Sequence, residues 1–331
     1  MYSREKEIKD IKVGRPHVVL LGAGASKAAF MDGDKNGIKL PLIDDLADTL
    51  DLTRIFEQHG VDASNRNFED VFTELYESGK NQELINLIEK RVFDYFSKLE
   101  LPDAPTIYDY LVLSLRDKDV IATFNWDPLL WYAACRNHSA IKPPHIIFLH
   151  GNVAMGYCHK CSIKGSVSFR CDRCGNLYEP SKLLYPMSQK NYNLDIAIKG
   201  EWKTMQEYVK HAYMFTVFGY GAPKTDVEAI AMLKSAWGNG RNFEQIEFIH
   251  RPGSDEDKVI EPWKEFIEPY YHYQTSDDFF KSFIANHPRR TCDAMWAQSM
   301  ECEFIDNYPA PRDVGLGELQ KWFQEFKSYE D

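Results

Sequence analysis

A doubly wound parallel α/β fold, Rossmann-like in plan, is predicted by three features of the sequence. Short β-branched apolar runs recur along the chain, and each ends in glycine or polar residues. Amphipathic stretches lie between them, and alternating strands and helices favour a parallel sheet with helices on both faces. The first run, Val18, Val19, Leu20 and Leu21, passes at once into Gly22, Ala23, Gly24, Ala25 and Ser26. That is the pattern of a buried strand entering a phosphate-type loop.

Taken in order, the first strand covers about residues 17–22. Residues 44–116 read as a helical insert. Leu84, Ile85, Leu87, Ile88, Val92, Phe93 and Phe96 recur near the helical period of 3.6. Val120, Ile121, Ala122 and Thr123 form a second strand ending in Phe124, Asn125, Trp126 and Asp127. A third covers 145–149 and ends in His150, Gly151 and Asn152. Residues 212–218 form a strand ending in Gly219, Tyr220 and Gly221, and 245–249 form another. Between the last two, Thr225 as N-cap with Glu228 three residues on has capping-box spacing. Beyond 250 the chain reads as mixed, mostly helical, with a polar tail.

Residues 153–180 hold four of the seven cysteines, as Cys158-x-x-Cys161 and Cys171-x-x-Cys174. Two such knuckles offer four thiolates to one tetrahedral ion, and a full thiolate set points to a closed, structural zinc module. The nine residues between Cys161 and Cys171 are enough for a hairpin to return. His159 lies between the ligands, but the four sulfurs are preferred. Asp32, Gly33, Asp34, Asn36 and Gly37 imitate a calcium loop, yet its twelfth position is Ile43 rather than a bidentate Glu. A solvated loop is the expectation there.

The chain has 331 residues, about two domains at roughly 150 residues each. Its aromatic content of 14% excludes a disordered chain. Lys plus Arg is 39 and Asp plus Glu is 50, a net charge of −11. A surface this acidic argues against direct nucleic-acid binding and against an anionic membrane. No apolar run reaches the roughly 20 residues that span a bilayer. The opening residues lack the apolar region of a secretory signal. An odd number of cysteines in such a chain fits a reducing compartment, and the expected location is the cytoplasm.

The glycine loop, Asn125, Asp127 and His150 all fall at predicted carboxyl ends of strands, where open α/β sheets bind ligands. In this order, Gly22-Ala23-Gly24-Ala25-Ser26, Thr123-Phe124-Asn125-Trp126-Asp127, Leu149-His150-Gly151 and the knuckle pair resemble the sirtuins. The likeness covers roughly residues 17–250. Residues 218–226, and 28–30 running on to Leu40 and Pro41, are similar to blocks in sirtuin-like proteins of bacterial anti-phage defence, mostly NAD glycohydrolases. Two departures stand out. Protein-deacylating sirtuins carry Gly-Ile-Pro-Asp-Phe-Arg after the glycine loop, where residues 39–44 here have neither the Phe nor the Arg. Phe124 replaces the family's usual Gln.

The resemblance implies an NAD site, with NAD as substrate and zinc as the structural metal. Gly22, Ala23, Gly24 and Ser26 would serve phosphate and ribose, and Gly219 and Tyr220 join the NAD-contacting set. Asp127 would lie near nicotinamide, Asn125 would hold a water or ribose hydroxyl, and His150 would act as base. The activity implied is NAD cleavage to nicotinamide and ADP-ribose. Alternatives are an NAD-dependent protein deacylase or ADP-ribosyltransferase, and a non-catalytic NAD- or ADP-ribose-sensing subunit. Partners implied are a second copy of the chain, in a homo-oligomer, and a hexameric ATPase of the HerA type. The expected organisation is a Rossmann-like NAD-binding part over 1–152 with the helical insert inside it. A zinc-binding module follows over 153–185. Residues 186–331 complete the sheet and end in a helical region.

Overall fold

The computed structural model describes residues 3–330 apart from 64–65, 188–191, 193–194, 224–225, 239–243 and 268–272. Its strands are β1 (His17–Leu21), β2 (Val120–Thr123), β3 (His145–Phe148), β4 (Met155–Cys158), β5 (Ile163–Ser166), β6 (Glu179–Pro180), β7 (Met214–Phe218), β8 (Gln245–Ile249) and β9 (Tyr273–Ser276). Among the described residues, six strands form one sheet in the order β3-β2-β1-β7-β8-β9. All its neighbouring pairs are parallel. The chain starts at the middle of the sheet, runs out to one edge, returns beside β1 and runs out to the other. The reversal between β1 and β7 leaves a crevice at their carboxyl ends.

Register aligns those ends. Leu21 pairs with Thr123 on one side and with Phe218 on the other, and Thr123 pairs with Phe148. The residues that follow, Gly22, Phe124, Leu149 and Gly219, therefore leave the sheet side by side. Alternation along β1 divides the core. Val19 and Leu21 face the helical insert, packing with Phe56, Phe72 and Ile88. Val18 and Leu20 face the opposite layer, which contains Trp202, Met205, Trp237 and Trp263. Each large apolar side chain buried this way contributes roughly 1.5–3 kcal/mol.

The insert resolves into helices Leu46–Thr49, Leu52–Gln58, Phe68–Glu77, Gln82–Phe96 and Ile107–Ser114. In Gln82–Phe96 the buried face is Leu84, Ile85, Ile88, Val92 and Phe96. Leu87, counted in the apolar stripe, is instead 41% exposed, because the helix presents only one side to the core. The last helix starts with a capping box, Thr106 with Asp109. Arg136 pairs with the Asp109 carboxylate, and Asn137 donates to it at 2.8 Å.

Three expectations change. The region after 250 adds a strand, β9, pairing parallel with β8 through Ile246–Tyr273 and Ile249–Ser276. Its residues, Tyr-Gln-Thr-Ser, are too polar and too few to signal a strand, and only the β8 edge defines them. Helix Val227–Trp237 has Asp226 at its N-cap, without a side-chain capping bond. The expected cap, Thr225, lies outside the described residues. Asp34, expected in a solvated loop, is 5% exposed. One of its oxygens accepts from the Asn36 and Ile38 amides and the other from Glu100, stapling the loop to the end of the insert.

A polar chain threads the buried sheet. His17 bonds through Nδ1 to the Thr291 hydroxyl at 2.9 Å and through Nε2 to the Thr216 hydroxyl at 2.8 Å. Thr216 in turn meets Glu247 at 3.1 Å, and Glu247 accepts from the Phe283 amide at 2.6 Å. Burial pushes the His17 pKa down to about 4 and the Glu247 pKa up to about 7. Both groups are thus held toward their neutral forms. Among the described residues no helix is long and apolar enough to cross a membrane.

Candidate functional site

Gly22, Gly24 and Gly219 set the depth of the crevice by packing the loops after β1 and β7 against each other. Gly24 donates to the Gly219 carbonyl at 2.9 Å. A Cβ on Gly22 or Gly24 would come within 2.6 or 2.7 Å of that carbonyl oxygen. Gly219 has φ +62°, and a Cβ there would stand 2.1 Å from the Ala25 nitrogen. The glycines therefore serve backbone-to-backbone approach between two loops. Ala23 opens the seven-residue helix Ala23–Ala29 and is exposed.

Ser26, from that helix, meets Asn125 and Asp127 from the loop after β2. The Ser26 hydroxyl donates to Asp127 Oδ2 at 2.7 Å. Asn125 Nδ2 donates to the Gly22 carbonyl at 2.9 Å and to Ser26 Oγ at 2.8 Å. Asp127 Oδ1 accepts from the Leu129 amide at 3.1 Å. Both Asp127 oxygens thus have internal bonds, and the residue's own backbone amide also faces the carboxylate. Burial raises the Asp127 pKa from its ordinary value, against the lowering pull of its hydrogen bonds. Asn152, after β3, ties the loops together. Its amide donates to the Asp127 carbonyl at 2.6 Å, and its oxygen accepts from Ala154.

His150 sits one loop over, 6% exposed, in an aromatic surround. Its ring centroid lies 4.5 Å from Phe124 and 5.9 Å from Tyr192. Its Nε2 is 3.3 Å from the Tyr192 hydroxyl. Phe124 stacks on Tyr220 at 4.3 Å, and the Tyr220 hydroxyl donates to Asp226 at 2.7 Å. The Phe124 ring therefore joins His150 to Tyr220 by apolar contact. An imidazole held like this can take a proton from a hydroxyl or water that enters beside it.

The four cysteines converge as the spacing predicts. Their sulfurs all lie within 4.8 Å of one another, and those of Cys158 and Cys174 are 3.4 Å apart. Zinc–sulfur bonds of 2.3 Å in a tetrahedron place sulfurs about 3.8 Å apart, so this set fits one structural zinc. Strands β4, β5 and β6 form the small antiparallel sheet in the order β5-β4-β6 that carries the first knuckle. The backbone turns of both knuckles close from Cys161 to Cys158 at 3.2 Å and from Gly175 to Cys171 at 2.7 Å. His159 turns outward to Glu179, 3.4 Å away, and is not among the ligand atoms.

The structure brings together Ser26, Asn125 and Asp127 directly, with Gly22, Gly24 and Gly219 beneath them. Three polar partners in this region carry no motif in the sequence: Tyr108, Asn152 and Tyr192. Asn152 directly follows the His150-Gly151 pair, so its place in a strand-end loop was visible. Tyr108, 82 residues from Ser26, carried no local signal.

No protein-family model matches the chain, and no curated protein matches it. Solved structures similar to it are Sir2 homologues. One, a Sir2 homologue in complex with NAD, shares 17% identity over 88% of this chain and 94% of that one, with a TM-score of 0.38. Another, described as a structural basis for the mechanism and regulation of Sir2 enzymes, shares 15% over 90% and 96%, with a TM-score of 0.42. A mutant Sir2 homologue bound to ADP-ribose shares 16% over 88% and 96%, with a TM-score of 0.39.

Proposed function

We propose that the protein is an NAD glycohydrolase of sirtuin-like type, acting in bacterial anti-phage defence by depleting NAD. The observation that carries this reading is the meeting of the Gly22–Ser26 loop, Asn125 and Asp127 at the aligned carboxyl ends of β1 and β2. His150 leaves the same edge one strand away. These positions match the sirtuin motifs residue by residue. Residues 39–44 lack the Phe and Arg of protein deacylases, which favours water over an acyl-lysine peptide as the second reactant.

The chemistry asks little acid catalysis of the protein. Cleavage breaks the bond from nicotinamide nitrogen to ribose C1′, and nicotinamide leaves as a neutral base. Water adds to C1′ and gives up one proton, so NAD and water yield ADP-ribose, nicotinamide and a proton. The oxocarbenium-like transition state resembles that of other glycoside cleavages. Asn125 orients the water or a ribose hydroxyl, and His150 accepts the proton. Asp127 steadies Ser26 and can accept from the carboxamide of nicotinamide. Gly219 and Tyr220 line the side toward β7.

A hydrolase that empties the NAD pool needs restraint. We place that restraint in a cytoplasmic homo-oligomer and in a partner ATPase of the HerA type. The test is mass spectrometry of products from NAD with and without an acetylated peptide, on the native oligomer. Peptide-independent release of nicotinamide and ADP-ribose supports the reading. Release only with peptide assigns the site to deacylation or ADP-ribosyl transfer, and binding without release assigns it to sensing.

A further inference from the structure

The Ser26 hydroxyl has three neighbours, and donor counting settles what each does. Asp127 is an acceptor, so Ser26 donates to it. Asn125 Nδ2 can only donate, so it fills one lone pair of Ser26 Oγ. The third neighbour is the Tyr108 hydroxyl at 2.6 Å, and with the Ser26 proton already on Asp127, Tyr108 must donate. Burial, with the Asp127 charge beside it, holds the Tyr108 phenol well above its ordinary pKa and keeps that proton in place. Tyr108 is also 3.3 Å from Asn125 Nδ2. The two amide hydrogens of Asn125 go to Gly22 and Ser26, which fixes which side of the amide is nitrogen. Its Oδ1 takes no part in these bonds.

The frame behind Tyr108 is rigid. The residue stands in the first turn of Ile107–Ser114, next to the Thr106–Asp109 capping box and the Arg136 ion pair. Its ring meets Phe30 edge-on at 5.6 Å. We propose that Tyr108 is a positioning residue: by donating to Ser26 it fixes the Asn125 amide so that Oδ1 is left to hold the attacking water or ribose hydroxyl. This rests on the NAD-cleavage reading for its consequence, and on the hydrogen-bond ring alone for its geometry.

The experiment uses the full chain as wild type, Tyr108→Phe, Ser26→Ala and the double variant. Tyr108→Phe keeps the ring packed on Phe30 and removes one hydroxyl. Nicotinamide release should fall roughly ten- to a hundredfold in kcat, with KM for NAD within about twofold. In the Ser26→Ala background the same change should cost less than about twofold, because the bond it breaks is already gone. In parallel, the Asn125 side-chain amide is followed by proton–nitrogen NMR. It should shift and lose exchange protection in Tyr108→Phe, and the double variant should match Ser26→Ala. Equal kinetic losses in both backgrounds, or an Asn125 amide unmoved by Tyr108→Phe, overturn the proposal. If the wild type releases no nicotinamide, the NAD-cleavage reading fails by itself, and the amide response still tests the positioning. If Tyr108→Phe does not fold, 3-fluorotyrosine placed at 108 keeps the packing and makes the hydroxyl a stronger donor to Ser26, and an Asn125 amide unmoved by it is equally fatal.

Discussion

The Ser26 hydroxyl donates to the Asp127 carboxylate across 2.7 Å, joining the helix after β1 to the loop after β2 over 101 residues of chain. Both side chains are buried, at 3% exposure each. A buried carboxylate needs such partners, and here they come from the same groups that frame the crevice. The site is thus held by its own hydrogen bonds before any ligand arrives.

Asn125→Ala and His150→Ala should each cut nicotinamide release by about 10²- to 10⁴-fold at saturating NAD. Neither removes much apolar volume, so circular dichroism and oligomeric state should remain those of wild type. Near wild-type turnover in both variants would falsify the assignment. Loss of activity only in step with loss of fold would return both residues to a structural role.

Elemental analysis of unchelated protein should find one zinc per chain. Thiolate ligation is coupled to folding, so Cys171→Ser should release the metal and cost on the order of several kcal/mol of local stability. Thermal unfolding with and without a chelator checks this. A metal-free wild type that unfolds at the same temperature as the variant would refute it.

Gly219→Ala introduces a Cβ at φ +62° and within 2.1 Å of the Ala25 nitrogen. A non-glycine residue in such backbone costs about 1–3 kcal/mol before any clash. Tm should drop by roughly 5 °C or more, and nicotinamide release should fall with it as the β1 and β7 loops separate. A Tm unchanged from wild type would show that the two loops do not need their close approach.

Glu247 carries a pH signature. Its folded pKa, pushed up to about 7 by burial, lies above the usual 4.5. The folded state therefore holds a proton that the unfolded chain has lost between those values. Glu247 favours folding fully below about pH 4.5, and that contribution is lost as pH rises through 7. Glu247→Gln keeps an acceptor for the Phe283 amide, and the Thr216 hydroxyl, which donates to Glu247, turns to accept from the new amide. Relative to wild type it should gain stability from pH 5 to pH 8, by up to on the order of 3 kcal/mol. Denaturant titrations across that range are the check, and a pH-independent difference between the two proteins would sink the idea.

Much of the scaffold was legible because its signals are local. Apolar runs ending in glycine or polar residues placed β1, β2, β3, β7 and β8, and two Cys-x-x-Cys pairs placed the four-cysteine cluster. Leu84, Ile85, Ile88, Val92 and Phe96 announced their helix through a 3.6-residue period. Leu87 shows the limit of that reading, since an apolar residue just off the stripe scores like its neighbours yet faces solvent.

The sequence by itself determined the order of β1, β2, β3, β7 and β8, the residues at their ends and the four thiols. Each is a pattern carried by residues within sixteen positions of one another, where strand and helix periods and ligand spacing can be read directly. Only the tertiary structure decided that Tyr108 donates to Ser26, that Asn152 ties the loops and that Phe124 and Tyr192 flank His150. It also made a strand of Tyr273–Ser276 and buried Asp34 as a staple. Those contacts join segments far apart in the chain, and they exist because the sheet's register brings four loops to one edge. A pairwise hydrogen bond across 82 residues leaves no periodicity and no spacing to read.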